Sequence, residues 1–409
     1  MNNQNKKIYH YLIGLILYSS LIIGFIFGEN STGGAYNDYI AHREIIYKFS
    51  KNFNDTLINF DKESTRHSPF LLIIFSFFYK INLPDTVFRI INLHFLLLTI
   101  LFFFKCLKVK FPNYNNTVLY FIAILLFLSP TFRSLSIWPD SRLYGLFFFT
   151  VSVYFYLNFK HQSNEKDKLK FALLNTFYLC IASYFSPNFC LFVFFFLFFF
   201  FKNLKKKIYI YFILLLNILL AIPAIYYIFF LEIFFFLNPT NDAGKTLISL
   251  NPANKIILIS SIFLFHYLPF FFVTKNKFKL KIKNVAILSF LFYPLIYFFN
   301  YENNFTGGGI IYKFSNIFSN DNYLLFFFSF LGLLHIFNLS YKCLNNSLII
   351  ILIFLGNPQL EIYHKYYEPM LLILFFTLFN ISFNKKNLKN RIFIFYIFAI
   401  VFLVISLLK

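Results

Sequence analysis

The feature that most limits this chain is the length of its apolar runs. They extend for about 15–25 residues without the polar stripe of a soluble amphipathic helix. At about 1.5 Å per residue such a run covers the roughly 30 Å of a bilayer core. Charged residues make up 13% of the 409, against about 25% in a soluble domain, too few to clothe a water-facing surface. A soluble domain, a coiled coil and a disordered chain are excluded. The expected fold class is all-α, a polytopic transmembrane helix bundle.

The first run, Ile8–Gly28, follows Lys6 and Lys7 and lacks a small-x-small cleavage site, so it reads as an uncleaved span with a cytoplasmic N-terminus. The polar stretch Glu29–Pro69 then lies outside. The next apolar run, Phe70–Ile81, has about 12 residues, too few to span. Counting it as a span would put Lys105, Lys108 and Lys110 outside, against the positive-inside rule. It is predicted to lie along the outer interface, followed by a span over Pro84–Phe104.

Further spans are predicted near 117–132, 141–159, 171–185, 188–201, 208–234, 255–274, 284–299, 323–341, 347–356 and 367–384, with a last one running to Lys409. The total is about thirteen. Two regions follow: 1–205, with outer loops 29–83 and 129–140, and 206–409, with outer loops 237–254, 300–322 and 357–368.

Lys and Arg total 37 against 16 Asp and Glu, a net charge of +21. In a soluble protein that would point to nucleic acid; here 23 of the basic residues fall in the predicted cytoplasmic loops with only two acids, Glu165 and Asp167. The excess is an orientation signal, and no nucleic-acid partner is expected. The other 14 acids and five of the six arginines fall outside, which marks that face as the one with chemistry. Cys106, Cys180, Cys190 and Cys343 have no paired spacing, so neither a disulfide framework nor a metal knuckle is supported.

Four outer segments carry the candidate residues of the loops. In Gly33-Gly34-Ala35-Tyr36-Asn37-Asp38-Tyr39-Ile40-Ala41-His42-Arg43-Glu44, a helix would put Asp38 and His42 on one face. A carboxylate there can act as a general base or hold a metal; the plainer reading is an acid at a helix N-terminus. Thr65-Arg66-His67-Ser68-Pro69 sets a cation and an imidazole before the interfacial helix, suited to a lipid phosphate or a sugar hydroxyl. Ser129–Arg142 holds the only Trp, Trp138, with Arg133, Asp140 and Arg142 at the bilayer edge. Late in the chain, Lys365 and Tyr366 lie in Gln359–Pro369, where phosphate contact competes with a snorkelling lysine in an aromatic belt. Thr306-Gly307-Gly308-Gly309 reads as a flexible turn. No Walker loop, HExxH or serine-hydrolase elbow is present.

The order of these pieces resembles the GT-C superfamily of integral-membrane glycosyltransferases, in the branch of protein O-mannosyltransferases and the lipid A aminoarabinose transferase. Asp38 matches that branch's acidic residue after helix one, and His67-Ser68-Pro69-Phe70 its [K/H]-x-P-[LF] segment. Arg89 matches an Arg early in the second span. Ser129-Pro130, Arg133 and Pro139-Asp140 match an SP…R…PD loop, and Lys365-Tyr366-Tyr367-Glu368-Pro369 a late [R/K]-Y-x-x-P segment. The likeness covers about residues 8–200 and thins beyond, apart from that late motif. Ser186-Pro187 lacks the basic residue usual in the branch, and Asp38 stands beside Asn37 and Tyr39 rather than in an acidic pair.

The resemblance implies sugar transfer from a polyprenyl-phosphate-linked donor to a glycan, lipid or protein acceptor of the cell envelope. The reaction would take place on the outer face of a bacterial inner membrane. It makes Asp38 the general base with Asp140 as the second carboxylate. His42, Arg43, Arg66, His67, Arg89, Arg133, Arg142, Lys365 and Tyr366 become substrate-binding residues. A divalent metal at Asp38 and Asp140 is the one cofactor it allows. The alternatives are a flippase or transporter, or a polymerase, of polyprenyl-linked glycans. A transporter would carry ionisable residues near the midplane, and a polymerase a large Arg-rich late outer loop.

Overall fold

A computed structural model describes residues 3–32, 34–63, 65–234, 251–275, 281–302, 307–318, 321–357, 359 and 361–408. Most of the expected outer loop 237–254 lies outside the described residues, as do Thr306, Lys277 and Lys279. Among the described residues every regular element is helical, and one isolated bridge pairs Thr274 with Phe383.

The chain divides into two compact units, Met1–Phe236 with Lys389–Lys409, and Leu237–Leu388. The boundaries differ from the expected division at 205/206. The last helix is the reason for one of them: Tyr396 Oη donates to the Phe121 carbonyl at 2.8 Å, tying the C-terminal segment to the first unit.

In the first unit α1 (Asn3–Ile26) is followed by α2 (Ala35–Lys51) and the short α3 (Phe53–Ile58) within the polar stretch. The expected interfacial helix is α4 (Pro69–Lys80), 12 residues long. Ser68 caps it by accepting from the Phe70 N–H, and Pro69 takes the first position, where a missing N–H costs nothing. α5 (Asp85–Lys110) is a full span of 26 residues.

The expected span near 117–132 is broken. α6 (Asn116–Ile124) runs into a 3-10 turn, and α7 (Pro130–Ile137) leaves it at a 65° bend. The break is encoded locally: the Ser129 side chain caps α7 at Phe132 N, and Pro130 cannot continue the preceding hydrogen-bond ladder. Every residue of α7 is buried.

α8 (Ser141–His161) and α9 (Glu165–Phe185) pack closely at Gly145, where a Cβ would come within 2.7 Å of Ser186 Cβ. α10 (Phe192–Asn203) and α11 (Lys207–Ile225) follow. α10 packs phenylalanines on α8, with Phe195 and Phe196 against Tyr156 and Phe192 against Phe149.

The second unit contains α12 (Pro252–Tyr267), α13 (Ile282–Tyr297), α14 (Gly309–Phe318), α15 (Tyr323–Ser340), α16 (Leu344–Leu355) and α17 (Glu368–Phe376); α18 (Lys385–Leu407) follows. α12 and α15 approach to backbone contact, for a Cβ on Gly332 would lie 2.2 Å from the Ser260 carbonyl oxygen.

By length and composition five helices can cross a membrane, Asp85–Lys110, Lys207–Phe230, Pro252–Phe272, Tyr323–Ser340 and Lys385–Leu407, or six if the bent pair is one span. The protein is thus an all-helical chain with several membrane-length helices. The count falls below thirteen because several expected spans are short or broken: α16 has 12 residues and α17 nine, about 18 and 14 Å.

Candidate active site

Two buried ion pairs organise the first unit, and they do different work. The first joins Arg133 on α7 to Glu29 just after α1: Nε donates to Oε1 at 2.8 Å and Nη2 to Oε2 at 2.5 Å. The guanidinium also donates to Ser20 Oγ, Ser20 O and the Phe127 carbonyl. With the pair 4% and 8% exposed, Arg133 faces no solvent and its donors are committed. Gly24 makes room for it, since a Cβ there would sit 2.2 Å from Glu29 Oε2.

Arg89 is similarly used. It donates to the Ile137 and Phe25 carbonyls at 3.2 and 3.1 Å and lies over the Trp138 ring at 4.2 Å. Arg133 and Arg89, which the resemblance makes substrate-binding residues, here tie α1, α5 and α7 together. Trp138 completes this wall, donating its indole N–H to the Glu29 carbonyl and meeting Tyr36 edge-on at 4.7 Å. Further bonds tie the first loop to α7: Ser31 Oγ donates to Pro130 O at 2.7 Å and Thr32 Oγ1 to Ser134 Oγ at 3.0 Å.

The second ion pair is the candidate site. Asp140 caps α8, its Oδ1 accepting from the Arg142 backbone N–H and from Arg142 Nε, both at 2.8 Å. Arg142 Nη2 bonds Asp140 Oδ2 and reaches across to Asp38 Oδ2 on α2 at 2.8 Å. One guanidinium therefore bridges the two carboxylates singled out in the sequence. Exposure grades along this line: Asp140 0%, Arg142 11%, Asp38 30%. Asp38 is the carboxylate that a molecule arriving from outside would meet. Burial alone would raise the Asp140 carboxyl, but the charge and hydrogen bonds of Arg142 outweigh it and hold that carboxyl below the usual range.

His67 enters from the segment before α4. Its Nδ1 lies 3.2 Å from Ser141 Oγ, and its ring meets the His42 ring edge-on at 4.6 Å. His42 is buried on α2 with no hydrogen-bond partner for Nδ1. Burial, with His67 close by, pulls its imidazole down to about 3, so it is neutral at ordinary pH.

Asp38, His67 and Asp140 each offer one ligand atom, all within 4.8 Å of one another, the one such group among the described residues. Two carboxylates and an imidazole suit a divalent ion such as Mn²⁺ or Zn²⁺ in donor type and spacing, so the residues fit the implied metal. Arg142 already places a positive charge between the carboxylates.

The remaining sequence candidates have partners of their own. Arg43 pairs with Asp85 at 2.8 Å in a half-exposed position, and Arg66 is half-buried next to His67. Lys365 and Tyr366 belong to the second unit, with Lys365 Nζ 5.1 Å from the Tyr363 ring centroid and Tyr366 Oη donating to Gln359 Oε1 at 3.4 Å. Glu29, Ser20 and Ser141 were not singled out in the sequence. Glu29 is separated from Arg133 by 104 positions, with no local spacing to link them. No family model, curated protein or solved structure matches the chain, so the likeness to GT-C enzymes rests on the motifs and their order alone.

Proposed function

We propose that this protein is a membrane glycosyltransferase of the GT-C kind. In this reading it moves a sugar from a polyprenyl-phosphate-linked donor to a cell-envelope acceptor on the non-cytoplasmic face. The observation that carries the reading is the junction of Asp38, His67, Asp140 and Arg142. Three separate segments, each with its own family-like motif, contribute to one polar cluster beside the interfacial helix α4. The proposal keeps the cytoplasmic N-terminus.

A lipid-linked donor keeps its tail in the bilayer and presents its phosphate at the interface. An acceptor hydroxyl approaches the anomeric carbon from the opposite side, with Asp38 as the base that takes its proton. The new C–O bond forms as the bond from the anomeric carbon to the phosphate oxygen breaks. The polyprenyl phosphate leaves with that electron pair, and the configuration inverts. Arg142 holds Asp38 by a hydrogen bond and, with Arg66, supplies positive charge where the phosphate departs. Asp140 holds Arg142 in place, and Ser141 sets the His67 ring. A divalent ion, when bound, adds further charge stabilisation to the leaving phosphate.

The cellular test compares envelope glycans and polyprenyl-linked intermediates by mass spectrometry, with and without the protein. The reading predicts loss of one sugar from an envelope glycan, lipid or protein and build-up of its lipid-linked donor. An unchanged glycan set with an unchanged donor pool contradicts it.

A further inference from the structure

The second unit contains two breaks in its helices, and they meet. α14 has 10 residues, α16 has 12 and α17 nine, each about half the length needed to cross roughly 30 Å. α16 and α17 share one end: Asn345 Nδ2 donates to Leu378 O at 2.7 Å, and Asn380 N–H to Asn346 Oδ1 at 2.7 Å. The described residues between them, 356–357, 359 and 361–367, therefore lie at the tip of a hairpin, about 18 Å from that end.

A second measure agrees. The same end of α12 is anchored to the segment after α17, with Lys275 N–H on Ser382 O and Asn384 N–H on Val273 O. His266 lies nine residues before Lys275, and its Nε2 meets His364 Nε2 of the hairpin tip at 2.8 Å.

From the opposite end, Asn300 bonds Asn251 and Asn254 at the start of α12. Gly309 sits further along α12, where a Cβ would lie 2.8 Å from Ile262 Cγ1, ten residues or about 15 Å from the start of that helix. The breaks are hydrogen-bonded together. Gly308 N–H donates to Ile362 O at 2.7 Å, and Ile362 N–H to Tyr301 Oη at 3.3 Å. Glycine is needed here: a Cβ on Gly307 would lie 2.5 Å from Tyr301 Oη, and Gly308 and Gly309 have φ of +87° and +84°.

Non-helical backbone at membrane depth persists where protein buries it or where it lines a water-filled cavity, and such breaks mark ligand sites in membrane proteins. The side chains here select the ligand. Glu361 and Glu368 are each 4% exposed, and Glu361 accepts from Tyr363 Oη. The same segment carries Tyr366, whose ring lies 5.5 Å from that of Tyr363, Gln359, and His364 paired with His266. Two carboxylates against one lysine, Lys365, disfavour a phosphate. Carboxylate, amide and imidazole groups among tyrosine rings suit a neutral molecule with many hydroxyls, which gives hydrogen bonds to the acceptors and lays its C–H faces on the rings.

We propose that residues 356–357, 359 and 361–367 form the tip of a re-entrant hairpin and, with Tyr301 and Gly307–Gly309, a membrane-embedded binding site for a sugar. This takes α16 and α17 out of the crossing count and leaves the orientation of α18 unchanged. It rests on the glycosyltransferase reading only in taking a sugar as substrate.

The test introduces Gln359→Cys, and separately Tyr366→Cys at the same tip, into the full-length protein in sealed vesicles. Labelling is counted as mass added over the parent chain, and Lys51→Cys serves as the exposed control. A small thiosulfonate reagent should modify the tip cysteines, whereas a bulky polyethylene-glycol maleimide added from either side should not. Methyl glycosides of mannose, galactose and N-acetylglucosamine are the probes, with inorganic phosphate as the anion control. At about ten times its Kd, one of them should slow the small-reagent reaction by about tenfold, and Glu361→Gln should remove that protection. Asp38→Asn should leave protection intact while transfer is lost, which separates this site from the reaction chemistry. Three results would overturn the proposal: bulky-reagent labelling at the Lys51→Cys rate, protection by phosphate in place of glycosides, or protection by none of the probes.

Discussion

Arg142 Nη2 stands 2.8 Å from Asp38 on α2 while the same guanidinium holds Asp140 at the cap of its own helix. The residue most buried in this line is Asp140, and it is fully enclosed. Removing its counter-charge leaves an uncompensated carboxylate in the interior, a change that costs about 3–5 kcal/mol. Arg142→Ala is expected to lower the unfolding midpoint in detergent far more than Arg43→Ala, whose pair with Asp85 is half-exposed and worth about 0–1 kcal/mol. Differential scanning fluorimetry of the two variants checks this ordering.

The guanidinium and a divalent ion compete for the same carboxylates. Arg142→Gln should therefore bind Mn²⁺ at least about tenfold more tightly than the parent, a difference of about 1.4 kcal/mol, read by electron paramagnetic resonance without any activity assay. Adding Asp140→Asn should reverse the gain. Equal Mn²⁺ affinity in all three proteins would remove the metal from the account.

Gly24 and the Glu29–Arg133 pair form one unit. Gly24→Ala pushes a methyl group into Glu29 at an expected cost of about 1–3 kcal/mol, and Glu29→Ala strands a buried guanidinium at about 3–5 kcal/mol. Because both break the same contact, the double variant should be less destabilised than the sum of the singles, by about 1–3 kcal/mol. Additive effects would mean that Gly24 matters for another reason.

Acid should loosen the site through His42. Its folded-state value of about 3 lies below the ordinary histidine value, so between the two the unfolded chain binds a proton that the folded chain does not. Stability is then fully present above about pH 6.5 and falls as pH drops toward 3, by at most about 1.4 kcal/mol per unit. His42→Gln should flatten that slope in thermal unfolding followed from pH 7 to 4. A slope identical to the parent's would assign the acid sensitivity to other groups.

How far the sequence foretold this arrangement depended on how local each signal was. α4 was legible because its length, its Ser68 cap and Pro69 lie within a few residues of one another. The meeting of Asp38 with Asp140 was foreseen as a shared role but not as a bridge through Arg142, since nothing in the spacing joins positions 104 apart. The pairing of Arg133 with Glu29 was hidden for the same reason. An arginine at a bilayer edge reads as phosphate-binding until its buried partner Glu29 is known. The break at Ser129-Pro130 had its cap and proline in view, yet the apolar run around it read as one span. The hairpin tip between α16 and α17 was hidden because hydropathy reports that α16 and α17 are apolar but says little about how far they reach.

The base assignment is the centre of the account, and Asp38→Asn measures it most directly. Purified, folded protein in liposomes would be assayed for transfer from a polyprenyl-phosphate-linked sugar. The substitution keeps size and much of the hydrogen bond to Arg142 but removes the proton acceptor. Transfer should fall by about 10²–10⁴-fold with the unfolding midpoint close to that of the parent. Near-parental transfer by the folded variant would contradict it.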